Sequence, residues 1–428
     1  MATVTVDQAK LVLNSFAAIF QNNLMSKDLV TWRKFDSEMN DRNGLTVVEQ
    51  VTPDYTTTFT NSAIADLSGG TQASIFGSEQ FKLTQVVGSS MGWADFVKIR
   101  DIGAARESEA LKKAALRLAT DIDSYIMGFV AKASNNWVGN ANGTTNIASF
   151  ADIASAVTRL KKEGVEDDMR AVLSYDDWQA LGTNIVNNNA SLADVGAGTY
   201  RQGFNGTIAG IPTSFTQQLQ PLTTGTRSTA AALTAGTADS ATTYASVAIS
   251  GAPGQYLTQL VNLGSLGANA TIKDGEVFTI AGVFAYDNRA KKVLEHLQQF
   301  RVVGDFTASA GGAVAARVFP AIITSGPHRT VAAAAGNTAA VTFVGQPNTA
   351  TMPRFLINKS AIVCNTADLI MPATGTASRK ALTAVPLSVR MWQDSVFATG
   401  EHRIRFDVAM ECNVAADGRR RIVRFNGA

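Results

Sequence analysis

The sequence predicts an α+β fold: a helix-bearing body, interrupted by a separate β-barrel or sandwich and completed by C-terminal strands. Three observations carry this prediction. Within residues 104–133, Leu111, Ala115, Leu118, Ile122, Ile126 and Phe129 recur at spacings of four and three, a single helical stripe. From about Thr223 the composition turns to Thr, Ala, Gly, Ser and Val. Only Arg227 and Asp239 are charged in 223–253, and only Arg317 and Arg329 in 306–351. After Pro353 the pattern returns to strands.

In chain order, residues 6–22 form an amphipathic helix with Leu11, Phe16, Ile19 and Phe20 on one side and Asp7 placed to cap it. The polar stretch 24–43, holding Trp32 and Phe35, reads as an arm that lies on something else. Extended segments follow at 46–51, 55–60, 81–87 and 96–100, and the Ser/Gly/Thr/Ala-rich 62–77 suits an exposed hairpin or loop. The helix at 104–133 would run about 45 Å at ~1.5 Å per residue, long enough to act as the backbone of a domain. Glu107 and Glu109 near its start and Lys132 near its end complement the helix dipole. Phe150, Ile153, Val157 and Leu160 mark a second helix ended by Gly164. Residues 169–174 form a short strand, and Asp176 and Asp177 open a third helix through Trp178, Leu181 and Ile185. Inside the low-charge region, 276–280 and 299–303 are strands, with a short helix-like turn between them. The closing strands fall at 355–357, 362–364, 387–392, 403–414 and 421–425.

Composition narrows the function. The 428 residues are 46% hydrophobic and only 17% charged, with 37 Lys+Arg against 35 Asp+Glu. That is well below the ~25% charge usual for soluble chains, a balance that a protein surrounded by copies of itself tolerates. A dedicated nucleic-acid binder would be far more basic. No run of ~18 uncharged apolar residues exists to span a membrane, and residues 1–10 lack the basic-then-apolar pattern of a secretory signal. The 2 cysteines, Cys364 and Cys412, are too few for a disulfide scaffold or a cysteine zinc site and read as buried free thiols.

The search for catalysis finds no catalytic, cofactor or metal residues. His296, His328 and His402 lie in separate segments, and no zinc-protease helix, phosphate loop or nucleophile elbow is present. Gly196, Gly198 and Gly203 are misplaced for a dinucleotide loop. Asp167, Asp168, Asp176 and Asp177 flank a strand and read as turn and cap residues. Arg419, Arg420, Arg421 and Arg424 create a local positive potential; they read first as an ordinary edge strand, with a genome-facing patch as the alternative.

Four segments carry a family resemblance: Asp274–Val283; Gln298–Gly304; Ala171–Ser174 with Tyr175–Trp178; and Val396–Gly400 followed by Ile404–Val414. In this order the chain resembles a major capsid protein of tailed double-stranded DNA phages with the Hong Kong 97 fold. It is most similar to the lederbergvirus-type short-tailed phage coat proteins, which carry an inserted barrel. The resemblance implies an N-terminal arm at 1–44 and an extended loop with adjoining strands at 45–100. It implies a spine helix, P-domain and first part of an A-domain at 101–222, a barrel at 223–351, and returning strands at 352–428. It further implies assembly into hexamers and pentamers of an icosahedral shell, formed in a host bacterial cytoplasm. The partners implied are a scaffolding protein, a portal protein at one vertex, and packaged double-stranded DNA held non-specifically, with no membrane and no cofactor. The low charge of 223–253 departs from relatives that use a charged loop across a two-fold contact. There is no long charged N-terminal coiled coil, so a separate scaffold is expected. Lys82 and Lys98 lie in the loop region, but no partner Asn for a cross-link is identifiable.

The expected assembly contacts are Phe16, Phe20, Trp32, Phe59 and Lys82. A cellular nanocompartment shell on the same fold and a secreted β-rich adhesin are the competing readings. The β insertion weighs against the first, the long helix and missing signal against the second.

Overall fold

The computed structural model describes residues 6–34, 46–51, 77–83, 85–93, 109–188, 207–208, 210–237, 239, 247–249, 252–255, 257–287, 290–326, 328–372, 375–396, 401–415 and 418–427. They divide into two compact units. The expected segments 55–60, 96–100 and 104–108 lie outside the described residues. Of the loop region, Thr46–Val51 and Gly77–Lys82 pair as a two-stranded sheet.

The first unit draws on Met1–Val47, Phe81–Phe129 and Ile362–Val414. Its organising element is the strand Glu401–Val414. One edge of this strand carries Gln85–Trp93; the other carries Ser388–Val396 along its first half and Ile362–Ala367 along its second. Thr376–Ala381 and the parallel Thr31–Lys34 extend the sheet outward. Ile404, Phe406, Val408, Met410 and Cys412 alternate along the strand, so the twofold period of extended chain sends all five to one buried face. The helix Val6–Asn23 covers part of that face, with the Phe16 ring stacked on Phe406 at a centroid separation of 3.8 Å. The long helix is Glu109–Ala133 over its described part, and Leu111, Ala115, Leu118, Ile122 and Ile126 are all buried, as the stripe requires. Asp123, in the same helix, accepts hydrogen bonds from the backbone N–H groups of Met25 (2.9 Å) and Ser26 (3.0 Å). It thereby holds the turn that follows the N-terminal helix.

The expectation of an arm without its own core is therefore corrected over residues 10–34. Leu13, Phe16, Ala17, Phe20, Leu24, Leu29 and Val30 are buried within this chain. Two aromatic rings on one helical face bury too much apolar surface to stay in water when a complementary sheet face lies in the same unit.

The second unit contains a sheet in the order Asn136–Val138, Ile422–Phe425, Arg354–Asn358, Met169–Leu173, Ile211–Phe215, Thr207–Ile208. Strands from before and after the low-charge region thus lie side by side, which is the geometry of an interrupted body. Ile153, Leu160, Leu173, Leu181, Leu356 and Phe425 share its core. The helix Phe150–Lys162 starts at a capping box. Ser149 Oγ accepts from the Asp152 N–H (3.2 Å), and Asp152 Oδ2 accepts from the Ser149 N–H (3.0 Å).

Along the chain, between the strands Ile211–Phe215 and Arg354–Asn358 of this sheet, comes a closed six-stranded barrel of Ala230–Leu233, Gln259–Gly264, Val314–Phe319, Lys292–Val302, Val277–Asp287 and Ala340–Phe343. Closure leaves no edge strand, which lets a region this poor in charge fold without exposing one. Phe278 packs against Phe300 and Phe343, with centroids 5.7 and 5.2 Å apart. The helix-like turn expected between the central strands is corrected. Both strands continue, and Phe284↔Leu297 and Tyr286↔Val293 extend the hairpin past a register shift. Alternate residues supply the pairing, and the bulge absorbs the break in period that imitated a turn.

Candidate assembly surfaces

Barrel and sheet are joined by a small set of polar contacts. Gln299 grips the Trp137 backbone with its amide, accepting from the N–H at 2.7 Å and donating to the C=O at 2.9 Å. Arg424 lies next to Trp137 in the sheet and donates from Nη2 to the Gly275 carbonyl at 2.6 Å. Gly275 is required there: its φ is +87°, and a Cβ would stand 3.0 Å from the Lys132 Cα. Deeper in the barrel, Arg227 and Glu276 form an ion pair with both side chains fully buried. Glu276 Oε1 also accepts from the N–H groups of Gly225 and Lys273, each at 2.7 Å, and Arg227 Nη2 donates to the Val344 carbonyl at 3.0 Å. The guanidinium lies 4.1 Å over the Phe343 ring. The carboxylate thus accepts three hydrogen bonds, which offsets much of the cost of burying its charge, while Arg227 Nη1 is buried without a hydrogen-bond partner.

The arginines expected to form one genome-facing patch separate. Arg424 is only 2% exposed, because Ile422–Phe425 is an inner strand of the sheet and not an edge. Residues Gly418–Arg421 form a 3-10 turn, so strand alternation does not apply to them. The Arg421 Nη1 donates to Ser360 Oγ at 2.8 Å. Arg420 and Arg421 line a cleft of about 550 Å³ together with Lys162, Glu166, Asp168 and Asn358. Its walls carry both signs of charge, so it does not read as a polyanion surface. The Arg419 side chain lies outside the described residues. Among the described residues, no group of three or more His, Cys, Asp or Glu side chains could hold a metal ion.

Of the expected assembly contacts, Phe16 and Phe20 are corrected to core residues of the first unit: both are fully buried. Trp32 is half-buried in the strand Thr31–Lys34, with its Nε1 donating to the Ser26 carbonyl at 3.4 Å. Lys82 ends the strand Gly77–Lys82, and its side chain, like Phe59, lies outside the described residues.

Exposed apolar residues that the sequence pattern does not mark stand close along the chain to the members of a second buried ion pair. Asp177 Oδ2 accepts from Arg354 Nε at 2.8 Å and from the Ser174 N–H at 2.9 Å, and its Oδ1 accepts from the Ile147 N–H at 2.9 Å. Arg354 also reaches Asn146 Oδ1 (2.6 Å) and the Met352 carbonyl (3.2 Å). This network ties the starts of two helices to one strand. The residues flanking it point outward: Phe150 is 60% exposed, Tyr175 52%, and Trp178 and Met352 41% each. Phe150 and Trp178 occupy positions that the helical pattern assigns to a core-facing stripe. The capping residues beside them, Asp152, Ser174 and Asp177, are buried instead, and nothing in the local spacing marks the difference.

The family model described as P22 coat protein - gene protein 5 matches residues 1–416. No curated protein sequence matches the chain. Among solved structures, the chain is similar to one from Mycobacterium phage Che8, with a TM-score of 0.42 and 11% identity over 90% of this chain and 86% of that one. It is also similar to the capsid of Cyanophage P-SCSP1u, with a TM-score of 0.43 and 11% identity over 95% and 88%. A virus-like particle from Pyrococcus furiosus gives a TM-score of 0.39 and 5% identity over 97% of both chains.

Proposed function

Given that the chain belongs to the P22 coat protein family and is a phage major capsid protein, we propose that it assembles around a scaffolding protein into an icosahedral shell that then encloses a double-stranded DNA genome. The family match over 1–416 is the single observation that carries this reading. Low charge and the exposed Phe150, Tyr175, Trp178 and Met352 support it, since both suit a surface covered by further copies of the same chain. Hexamers and pentamers, a portal at one vertex, assembly in a bacterial cytoplasm and the lederbergvirus-type kinship belong to the same proposal. So do the five segments at 1–44, 45–100, 101–222, 223–351 and 352–428, and contacts through Trp32, Phe59 and Lys82. DNA is held non-specifically in this reading, without a patch shared by all of Arg419, Arg420, Arg421 and Arg424, since Arg424 is buried. The nanocompartment and adhesin alternatives yield to a coat-protein family match.

The test is electron microscopy of the chain coexpressed with a candidate scaffolding protein from the same genome, comparing wild type with Trp178→Glu and Phe150→Asp. Both substitutions fall on substantially exposed side chains, so each variant should still fold and unfold in one cooperative thermal transition, with Phe150→Asp the less perturbed of the two. A charge without a partner in a subunit contact should reduce closed shells at least tenfold. Shells formed at wild-type yield by both variants would remove this surface from the interface, and no particles from wild type would remove the shell reading.

A further inference from the structure

The chain's two cysteines, 48 positions apart, are brought face to face by the first unit's sheet. Cys364 stands directly opposite Cys412 on the antiparallel strands Ile362–Ala367 and Glu401–Val414. Both are free thiols, both are buried, and Trp32 from the parallel strand Thr31–Lys34 completes the row beside Cys364. Opposed residues of an antiparallel pair have Cα atoms about 4.5 or 5.5 Å apart, depending on which kind of pair they form. Disulfides span Cα separations of about 4.4–6.8 Å, so either kind is within reach. The Cβ atoms of such a pair are about 4.5–5.5 Å apart, against a mean of ~3.8 Å in a disulfide. Bond formation therefore has to draw the strands together, and a bond made that way is strained and readily reduced.

We infer that Cys364 and Cys412 are an oxidative modification site, closing into a strained, reversible intrachain disulfide when the chain meets a small-molecule disulfide. The reaction is a double exchange. One cysteine loses its proton and attacks a sulfur of the oxidant, releasing one small thiolate and leaving a mixed disulfide. The second cysteine, also deprotonated, attacks the protein sulfur of that bond, forming Cys364–Cys412 and releasing the second small thiolate. Both thiolates take up the two protons, so two protein thiols are oxidised and one small disulfide is reduced to two thiols. Burial, and then the neighbouring Cys364 and Glu411, raise the Cys412 pKa well above that of a free thiol. The reaction is therefore slow while the sheet is closed and is gated by local opening of the strands. The biological setting rests on the shell reading, in which one chain experiences a reducing cell interior and then oxidising surroundings.

The test uses the wild-type full chain, both free and in particles, incubated with oxidised glutathione a few degrees below its thermal transition. The chain is then unfolded in N-ethylmaleimide and mapped without reduction. We expect alkylatable thiols to fall from two per chain toward none, with one linked Cys364–Cys412 peptide and migration as a single chain on a non-reducing gel. Dithiothreitol under native conditions should restore both thiols, and Cys364→Ala should stop at a glutathione adduct on Cys412. Two thiols still alkylated after oxidation, glutathione adducts on the wild type without a link, or links only between chains would each overturn the inference. The free-chain measurement needs no assembly, so a failure of the shell reading would show in the microscope and leave this result standing.

Discussion

At the scale of single residues, two buried groups set the sharpest expectations. Glu276 is held by Arg227 and by two backbone N–H groups, so Glu276→Gln leaves a buried guanidinium without its counter-charge. Breaking a buried pair from one side costs about 3–5 kcal/mol, and urea unfolding of the variant should show that loss as a lower midpoint at an unchanged slope. His296 behaves differently. Burial first, and then the charges of Arg159 and Lys162, lower its pKa from 6.5 to about 4, and its Nε2 is buried without a hydrogen-bond partner. Because the folded-state value lies below the unfolded one, its contribution is fully present above pH 6.5 and is lost as the pH falls toward 4. Unfolding midpoints measured across that window should decline in the wild type and decline less in His296→Gln. Equal slopes would show that other groups carry the acid sensitivity.

At the scale of elements, the seat between barrel and sheet depends on backbone that only glycine adopts. Gly275→Ala forces a side chain into a φ of +87° and against the Lys132 Cα, while Arg424 still needs the Gly275 carbonyl. A cost of roughly 1–3 kcal/mol is expected for such a residue, read as a lower thermal midpoint. Gly182, inside the helix Tyr175–Asn188, is the control, because nothing stands within 4 Å of its added Cβ. Gly182→Ala should leave stability unchanged or raise it by up to about 1 kcal/mol. If both variants unfold alike, the seat is not where the barrel is held.

At the scale of the whole molecule, the N-terminal helix changes what a truncation should do. An arm ordered only by neighbours could be removed without harming the subunit. Phe16 and Phe20 are instead buried in this chain, with Phe16 stacked on Phe406. Deleting residues 1–22 should thus destabilise the subunit itself, since losing a single buried Phe already costs about 3–5 kcal/mol. The expected outcome is aggregated or protease-sensitive chain before any change in shell size. A soluble, cooperatively folded truncation that fails only in assembly would return this helix to the role of an arm.

Periodicity and composition made much of the fold legible. The stripe from Leu111 to Ile126 named the long helix and its buried face, since a 3.6-residue period leaves few alternatives over that length. The collapse of charge after Thr223 marked a β region whose six strands close on one another. The order of segments also carried the resemblance to a phage coat protein, which the family match bears out. The placement of Phe16, Phe150, Trp178 and Arg424 was not legible. Each is an apolar or charged side chain whose burial depends on which partner surface the chain brings to it, and sequence spacing says nothing about partners far along the chain. Arg424 looked like surface charge but lies on an inner strand between two neighbours, and Phe150 and Trp178 looked like core but are exposed. Cys364 and Cys412 show the division most plainly. Alternation places each on a buried strand face, but only the register between two strands sets them opposite one another, because pairing is fixed by long-range packing and not by local pattern.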